Sequence, residues 1–143
     1  MKKLIFSVII ATCLFGCNPN KTDIKQNREH NPNLSSIDVV NKRMEFYNLH
    51  NFEKFIELYD DNVEIYTYPD KLLGTGTDNI TSIFKPKFTS KSIQVEIVSQ
   101  MNNGNYVINH EIVNENGIDT KYVSIYEVKD RLIKSVKFVR DNQ

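Results

Sequence analysis

The chain has 143 residues, one domain's worth. With 40% hydrophobic and 25% charged residues, five Gly and four Pro, it is neither collagen-like, low-complexity nor wholly disordered. Eighteen Lys+Arg balance eighteen Asp+Glu, so no basic excess exists to hold a nucleic acid backbone, and two Cys cannot form the disulfide framework of a small secreted domain.

Met1-Lys2-Lys3 is a short positive segment, and Leu4 to Phe15 is almost unbroken apolar sequence. That run is too short for a membrane span, which needs about 20 residues, and it matches the apolar region of a secretory signal. It ends Leu14-Phe15-Gly16-Cys17, which resembles the lipobox of bacterial lipoproteins. The resemblance implies removal of residues 1–16 and a lipidated Cys17 at the new N-terminus. A thioether-linked diacylglyceryl group plus an amide-linked acyl chain gives stable attachment, where one chain holds only marginally. Asn18, where an Asp would signal inner-membrane retention, implies a cell-envelope lipoprotein of the outer membrane. The other reading is an ordinary cleaved signal in which Cys17 is incidental. Loss of Lys2 and Lys3 leaves 16 basic against 18 acidic residues, a formal charge of −2.

Residues 17–34 carry Asn, Lys, Gln and Pro with little that is apolar beyond Ile24 and Leu34. Such a segment cannot bury enough surface to offset its chain entropy and reads as a flexible tether, with His30 solvated. Order begins at Ser35-Ser36-Ile37-Asp38, a capping box. Ile37, Val40, Met44 and Tyr47 then recur at helical spacing. Asn51 caps a second helix on which Phe52, Phe55, Ile56 and Tyr59 share a face. Val63 to Tyr68, β-branched and aromatic, reads as a strand. Gly74 and Gly76 mark a loop, and Thr77 or Asp78 caps a third helix bearing Ile80, Ile83, Phe84 and Phe88, frayed at Pro86.

The period then changes. Ile93, Val95 and Ile97 alternate with polar residues, Asn103-Gly104 is a type I′ hairpin signal, and Asn116-Gly117 closes the strand that starts at Tyr106. Two more strands, Ile118 to Val128 and Leu132 to Val139, complete a meander. Only the three helices can cover its apolar face. The expected fold over 35–143 is therefore α+β, a cone-shaped curved antiparallel sheet wrapped around three helices, with a cavity at the open end.

That element order resembles the nuclear-transport-factor-2-like superfamily. Asn48-Leu49-His50-Asn51-Phe52 between the helices, Asp61-Asn62-Val63 opening the first strand and Gly74-Thr75-Gly76-Thr77-Asp78-Asn79-Ile80 before the third helix all fit it. The nearest type is the SnoaL-like polyketide cyclase and ketosteroid isomerase branch. The resemblance implies that an enzyme of that branch would carry a carboxylate base near the end of the first strand. An isomerase would add an oxyanion hole from a helix tyrosine and a protonated aspartate on a later strand. The first strand here reads Ile65-Tyr66-Thr67-Tyr68, with no carboxylate before Asp70. The helix position falls near Arg43, and the late-strand position near Ser124 or Ile125, with Glu127 displaced. Without a base beside paired donors, enolisation loses its driver.

The expected function is thus a non-catalytic domain that binds a small apolar ligand or a protein partner. A sheet-to-sheet homodimer is the partner arrangement that the resemblance implies. The alternative is a divergent isomerase, cyclase or hydratase with His110 as general base and Tyr66 or Tyr126 as donor. Ligand-contact candidates are Tyr66, Tyr68, His110, Tyr122 and Tyr126. Tyr66 and Tyr68 share a face with Glu64 and suit a pocket rim or plain packing. His110 shares a face with Tyr106, Ile108 and Ile112 and suits the cavity wall or a hydrogen-bonded strand position. Tyr122, Ser124 and Tyr126 share one face, towards the cavity or as a cross-strand aromatic pair. Arg43 could fix an anion inside the cone, but adjacent Lys42 favours an ordinary solvated face, and Glu111 and Asp130 read as surface charges. No metal-ligand spacing, phosphate-binding glycine loop or nucleophile elbow occurs in the sequence, so no cofactor is expected.

Overall fold

The computed structural model describes residues 34–140. The apolar leader, Cys17, the tether up to residue 33 with His30, and residues 141–143 lie outside the described residues. The elements are α1 (Ser36–Asn48), α2 (Phe52–Ile56), β1 (Tyr59–Thr67), β2 (Lys71–Thr75), α3 (Gly76–Ser90), β3 (Ile93–Asn103), β4 (Tyr106–Glu115), β5 (Ile118–Lys129) and β6 (Leu132–Arg140). Local chemistry sets the helix starts. The Ser35 hydroxyl accepts from the Asp38 amide while the Asp38 carboxylate accepts from the Ser35 amide, a complete capping box. The Asn51 side chain accepts from the Lys54 amide. Helix α3 runs through Pro86 to Ser90, four residues beyond the expected fraying point, and its cap at Thr75 makes no side-chain hydrogen bond.

The sheet has six strands in the order β2-β1-β6-β5-β4-β3. Two antiparallel units, the β1–β2 hairpin and the β3–β6 meander, join along a parallel β1–β6 seam, so the sheet is mixed rather than wholly antiparallel. The expected loop at residues 71–75 is strand β2, an edge strand that leaves Leu72 and Leu73 exposed. Tyr59 opens β1 instead of closing the second helix. The turn after β3 is Gly104-Asn105 rather than Asn103-Gly104. Asn103 pairs with Tyr106, and only Gly104 of the two central residues has positive φ, the type II′ signature.

Bulges curl the sheet. Val98 is the extra residue between the Ile97–Glu111 and Ser99–His110 pairs, and Lys134 that between Glu127–Ser135 and Val128–Ile133. The curled sheet holds a core of Val39, Val40, Met44, Tyr47, Phe55, Tyr59, Val63, Ile80, Val107 and Val136 against the helices. The break after α1 serves as a clasp. Asn48 exchanges two hydrogen bonds with the Val95 backbone, at 2.8 and 2.7 Å, and the His50 ring bonds the Ile93 carbonyl at 2.8 Å.

Candidate functional site

A cavity of about 290 Å³ opens between α1, α3 and the inner face of the sheet. Its walls are mainly apolar, from Val95, Val113, Phe138 and Tyr122 on the sheet and Ile83 and Phe84 on α3. The closed end is polar. Arg43 is 3% exposed and Glu111 1% exposed, whereas Leu73 and Ile83 at the open end are 50% and 40% exposed.

Helical spacing puts Arg43 on the buried stripe of α1, between Val39 and Val40 one turn before and Met44 and Tyr47 after. Its Nε donates to the Tyr59 hydroxyl at 2.6 Å and its Nη1 to the Met44 sulfur at 3.2 Å. The guanidinium also lies over the rings of Tyr47, Phe55 and Tyr126 at 5.2–5.4 Å. These faces stabilise a desolvated cation by roughly 2 kcal/mol or more where water is excluded. Nη2 has no protein partner among the described residues, and Arg43 lines the cavity.

Glu111 sits on β4 among inward-facing side chains. One carboxylate oxygen accepts from the Ser124 hydroxyl at 2.6 Å and from the Tyr126 hydroxyl at 3.3 Å. The other accepts from Asn109 at 3.3 Å and Tyr126 at 3.4 Å. Asn109 in turn accepts from Gln100 at 3.0 Å. Arg43 and Glu111 make no direct ion pair among the described residues. Tyr126 links them, with its ring beneath the guanidinium and its hydroxyl on the carboxylate.

Burial opposes the Arg43 charge, but Tyr126, Tyr59 and Glu111 outweigh that cost and hold the guanidinium more firmly protonated than usual. Burial pushes the Tyr126 and Tyr59 hydroxyls above the ordinary tyrosine range, with Arg43 acting in the opposite sense. Both tyrosines are therefore neutral near pH 7. Neither lines the cavity, and the Tyr126 hydroxyl already donates to Glu111, so the donors that face the cavity at its closed end are the Arg43 N–H and the Tyr47 hydroxyl.

Several sequence expectations change. Arg43 and Glu111, expected on solvated surfaces, are the buried polar floor. His110 is on the opposite face of β4 from Asn109 and Glu111, opposite Ser99 and Val123, and it does not line the cavity. Strand alternation thus removes the geometry needed for His110 as a general base there. Tyr66 donates to Glu64 at 2.7 Å with Lys137 over its ring, and Tyr68 is 62% exposed; neither lines the cavity. Asp70 pairs with Lys137. Tyr122, Ser124 and Tyr126 do share the inward face, with Tyr122 in the wall and edge-on to Phe138. Register contained the missed signal. With Asn116-Gly117 as the turn, Glu111 falls opposite Tyr122 and Asn109 opposite Ser124, and directly paired residues share a face.

No family model matches the chain, and no curated protein matches it. Solved structures do. An NTF2-like protein of unknown function from Cytophaga hutchinsonii superposes with a TM-score of 0.65 at 16% identity, covering 78% of this chain and 95% of that one. An NTF-2 like protein of unknown function from Burkholderia xenovorans gives 0.62 at 16% identity over 76% and 84%. An LEH-like epoxide hydrolase from M. tuberculosis gives 0.61 at 12% identity over 74% and 82%. The fold is the nuclear-transport-factor-2-like α+β cone. At these identities the likeness extends to the fold alone, and a fold of this kind does not fix chemistry. Among the described residues no group of three or more His, Cys, Asp and Glu could hold a metal ion.

Proposed function

We propose that this chain is an envelope lipoprotein, anchored through Cys17, whose domain binds a small amphipathic molecule in the cavity between the helices and the curled sheet. The observation that carries the ligand reading is the floor. Arg43 is buried at the closed end of an apolar-walled space, and Nη2 has no protein partner among the described residues. Nη2 is not among the fully buried unpaired atoms and is reached from the cavity, so a ligand oxygen placed there takes its N–H in a charge-assisted hydrogen bond. The combination of apolar walls and a few convergent polar groups is the usual make-up of a small-molecule site.

The test is to fill the space. Val113→Trp should abolish binding of the fluorescent probe anilinonaphthalene sulfonate while leaving a cooperative melt. Undiminished probe binding in that variant would exclude the cavity and favour a protein partner. The anchor is tested separately by palmitate labelling, which should be lost in Cys17→Ala.

Glu111 favours a second reading, proton transfer to or from a bound carbonyl compound. A carboxylate in a closed site beside tyrosine hydroxyls has the ingredients of acid–base catalysis. Against it, Ser124, Tyr126 and Asn109 already donate to both carboxylate oxygens. The enzyme reading predicts exchange of α-hydrogens of a bound ketone in D2O, lost in Glu111→Gln. The binding reading predicts no exchange beyond buffer.

A further inference from the structure

The cavity lining is electrostatically lopsided from floor to mouth. It contains three cations, Arg43, Lys87 and Arg140, and two carboxylates, Glu111 and Glu115, for a formal charge of +1. The pairs are distributed unevenly. Lys87 is engaged with Glu115 at 2.6 Å, and Arg43 faces the charge of Glu111 across Tyr126. Arg140, exposed at the end of β6 opposite Tyr122, has no carboxylate partner among the described residues.

This pattern fixes a direction for a ligand. An anionic group at the closed end would satisfy Arg43 Nη2, but it would be desolvated beside the Glu111 carboxylate, and like charges in a dry site repel strongly. A neutral oxygen acceptor, a carbonyl or hydroxyl, takes the same N–H without that penalty. At the mouth the balance reverses. Arg140 is wet, carries the uncompensated charge of the lining, and presents the planar fork that carboxylates accept bidentately. Between the two ends lie Phe84, Val113, Tyr122 and Phe138, which have no use for a polar group beyond the Tyr122 hydroxyl.

Deepening the ligand-binding reading, on which it rests, we infer that the ligand is a small apolar carboxylic acid bearing a second, uncharged oxygen. Its carboxylate sits at Arg140 in the mouth, its apolar body along the wall, and its carbonyl or hydroxyl oxygen on Arg43 at the floor. A phosphate monoester fits less well, because its charge of nearly −2 exceeds the +1 of the lining.

Three matched probes separate the parts of this inference, titrated calorimetrically into the full chain: 3-(4-acetylphenyl)propanoate, 3-(4-ethylphenyl)propanoate and the neutral ketone 4-propylacetophenone. The keto acid should bind about tenfold more tightly than either of the others, a difference of about 1.4 kcal/mol at each end. In Arg140→Gln its affinity should fall to that of 4-propylacetophenone. The neutral ketone binding as tightly as the keto acid, with Arg140→Gln changing nothing, would overturn the carboxylate assignment while leaving the cavity reading intact. Equal binding of 3-(4-ethylphenyl)propanoate and the keto acid would overturn the floor acceptor. Absence of binding by all three would overturn the cavity reading itself.

Discussion

At the scale of single residues, the tight turns show how backbone chemistry is spent. The β4–β5 turn places Asn116 and Gly117 at φ 54° and 83°, the residue pair that a type I′ turn favours. The β5–β6 turn adopts the same geometry with Asp130 and Arg131, at φ 54° and 63°. A left-handed arginine costs roughly 1–2 kcal/mol, and the Arg131 Nε is buried without a hydrogen-bond partner. Glycine at this position relieves both, against roughly 0.5–1 kcal/mol of extra chain entropy. Arg131→Gly should therefore stabilise the domain, by about 1 kcal/mol or less, seen as a higher urea midpoint at unchanged m-value. A lower midpoint would mean that the Arg131 side chain anchors the turn. The site is a harder matter at this scale. Arg43 and Glu111 are charged residues that hydrophobic patterning assigns to the surface. Only the cross-strand pairing with Tyr122 and the hydrogen bonds from Ser124 and Tyr126 bring Glu111 inside.

Elements were legible in proportion to their local content. Helix α1 declares itself through its capping box and buried stripe, and β3 through β6 through alternation and turn residues. Strand β2 does not, because Lys71-Leu72-Leu73-Gly74-Thr75 is an edge strand whose neighbours leave most of it exposed, so no alternation is imposed on it. The β1–β6 seam is equally silent, since it joins segments some seventy positions apart, such as Ile65 and Val136, and no turn announces it. Helix α2 is the case where packing replaces local stability. Five residues are far too few to be helical alone. Phe55 holds it in place, fully buried and in ring contact with Tyr47, Phe52, Tyr59, Phe84 and Phe88 at 4.8–6.2 Å. Phe55→Ala should cost about 3–5 kcal/mol, a large part of the roughly 5–15 kcal/mol available to a domain. Because the ring is also part of the platform under Arg43, that variant should lose probe binding under conditions where it is still folded. Equilibrium urea unfolding measures the first effect. A loss below about 1 kcal/mol would show that the aromatic cluster closes over the gap.

For the molecule as a whole, the polar floor is where separate elements are tied together: Arg43 and Tyr47 from α1, Tyr59 from β1, Glu111 from β4 and Tyr126 from β5. Burial raises the pKa of all three tyrosines above the ordinary value of about 10. The direction of the linkage follows. Below pH 10 both folded and unfolded chains keep these protons, and the tyrosines add no pH dependence. Above it the unfolded chain releases them while the folded one retains them, so stability falls as pH rises. Each tyrosine contributes a slope of up to about 1.4 kcal/mol per pH unit until its folded pKa is reached. Urea unfolding between pH 7 and 11.5 should therefore show a plateau as far as the tyrosines are concerned, followed by a steep alkaline decline. Tyr126→Phe removes one titrating group without removing the ring beneath Arg43, and its decline should be shallower by about one proton's slope. A Tyr126→Phe profile parallel to that of the parent above pH 10 would mean that Tyr126 ionises as freely in the folded chain as in the unfolded one, and that the floor is open to water.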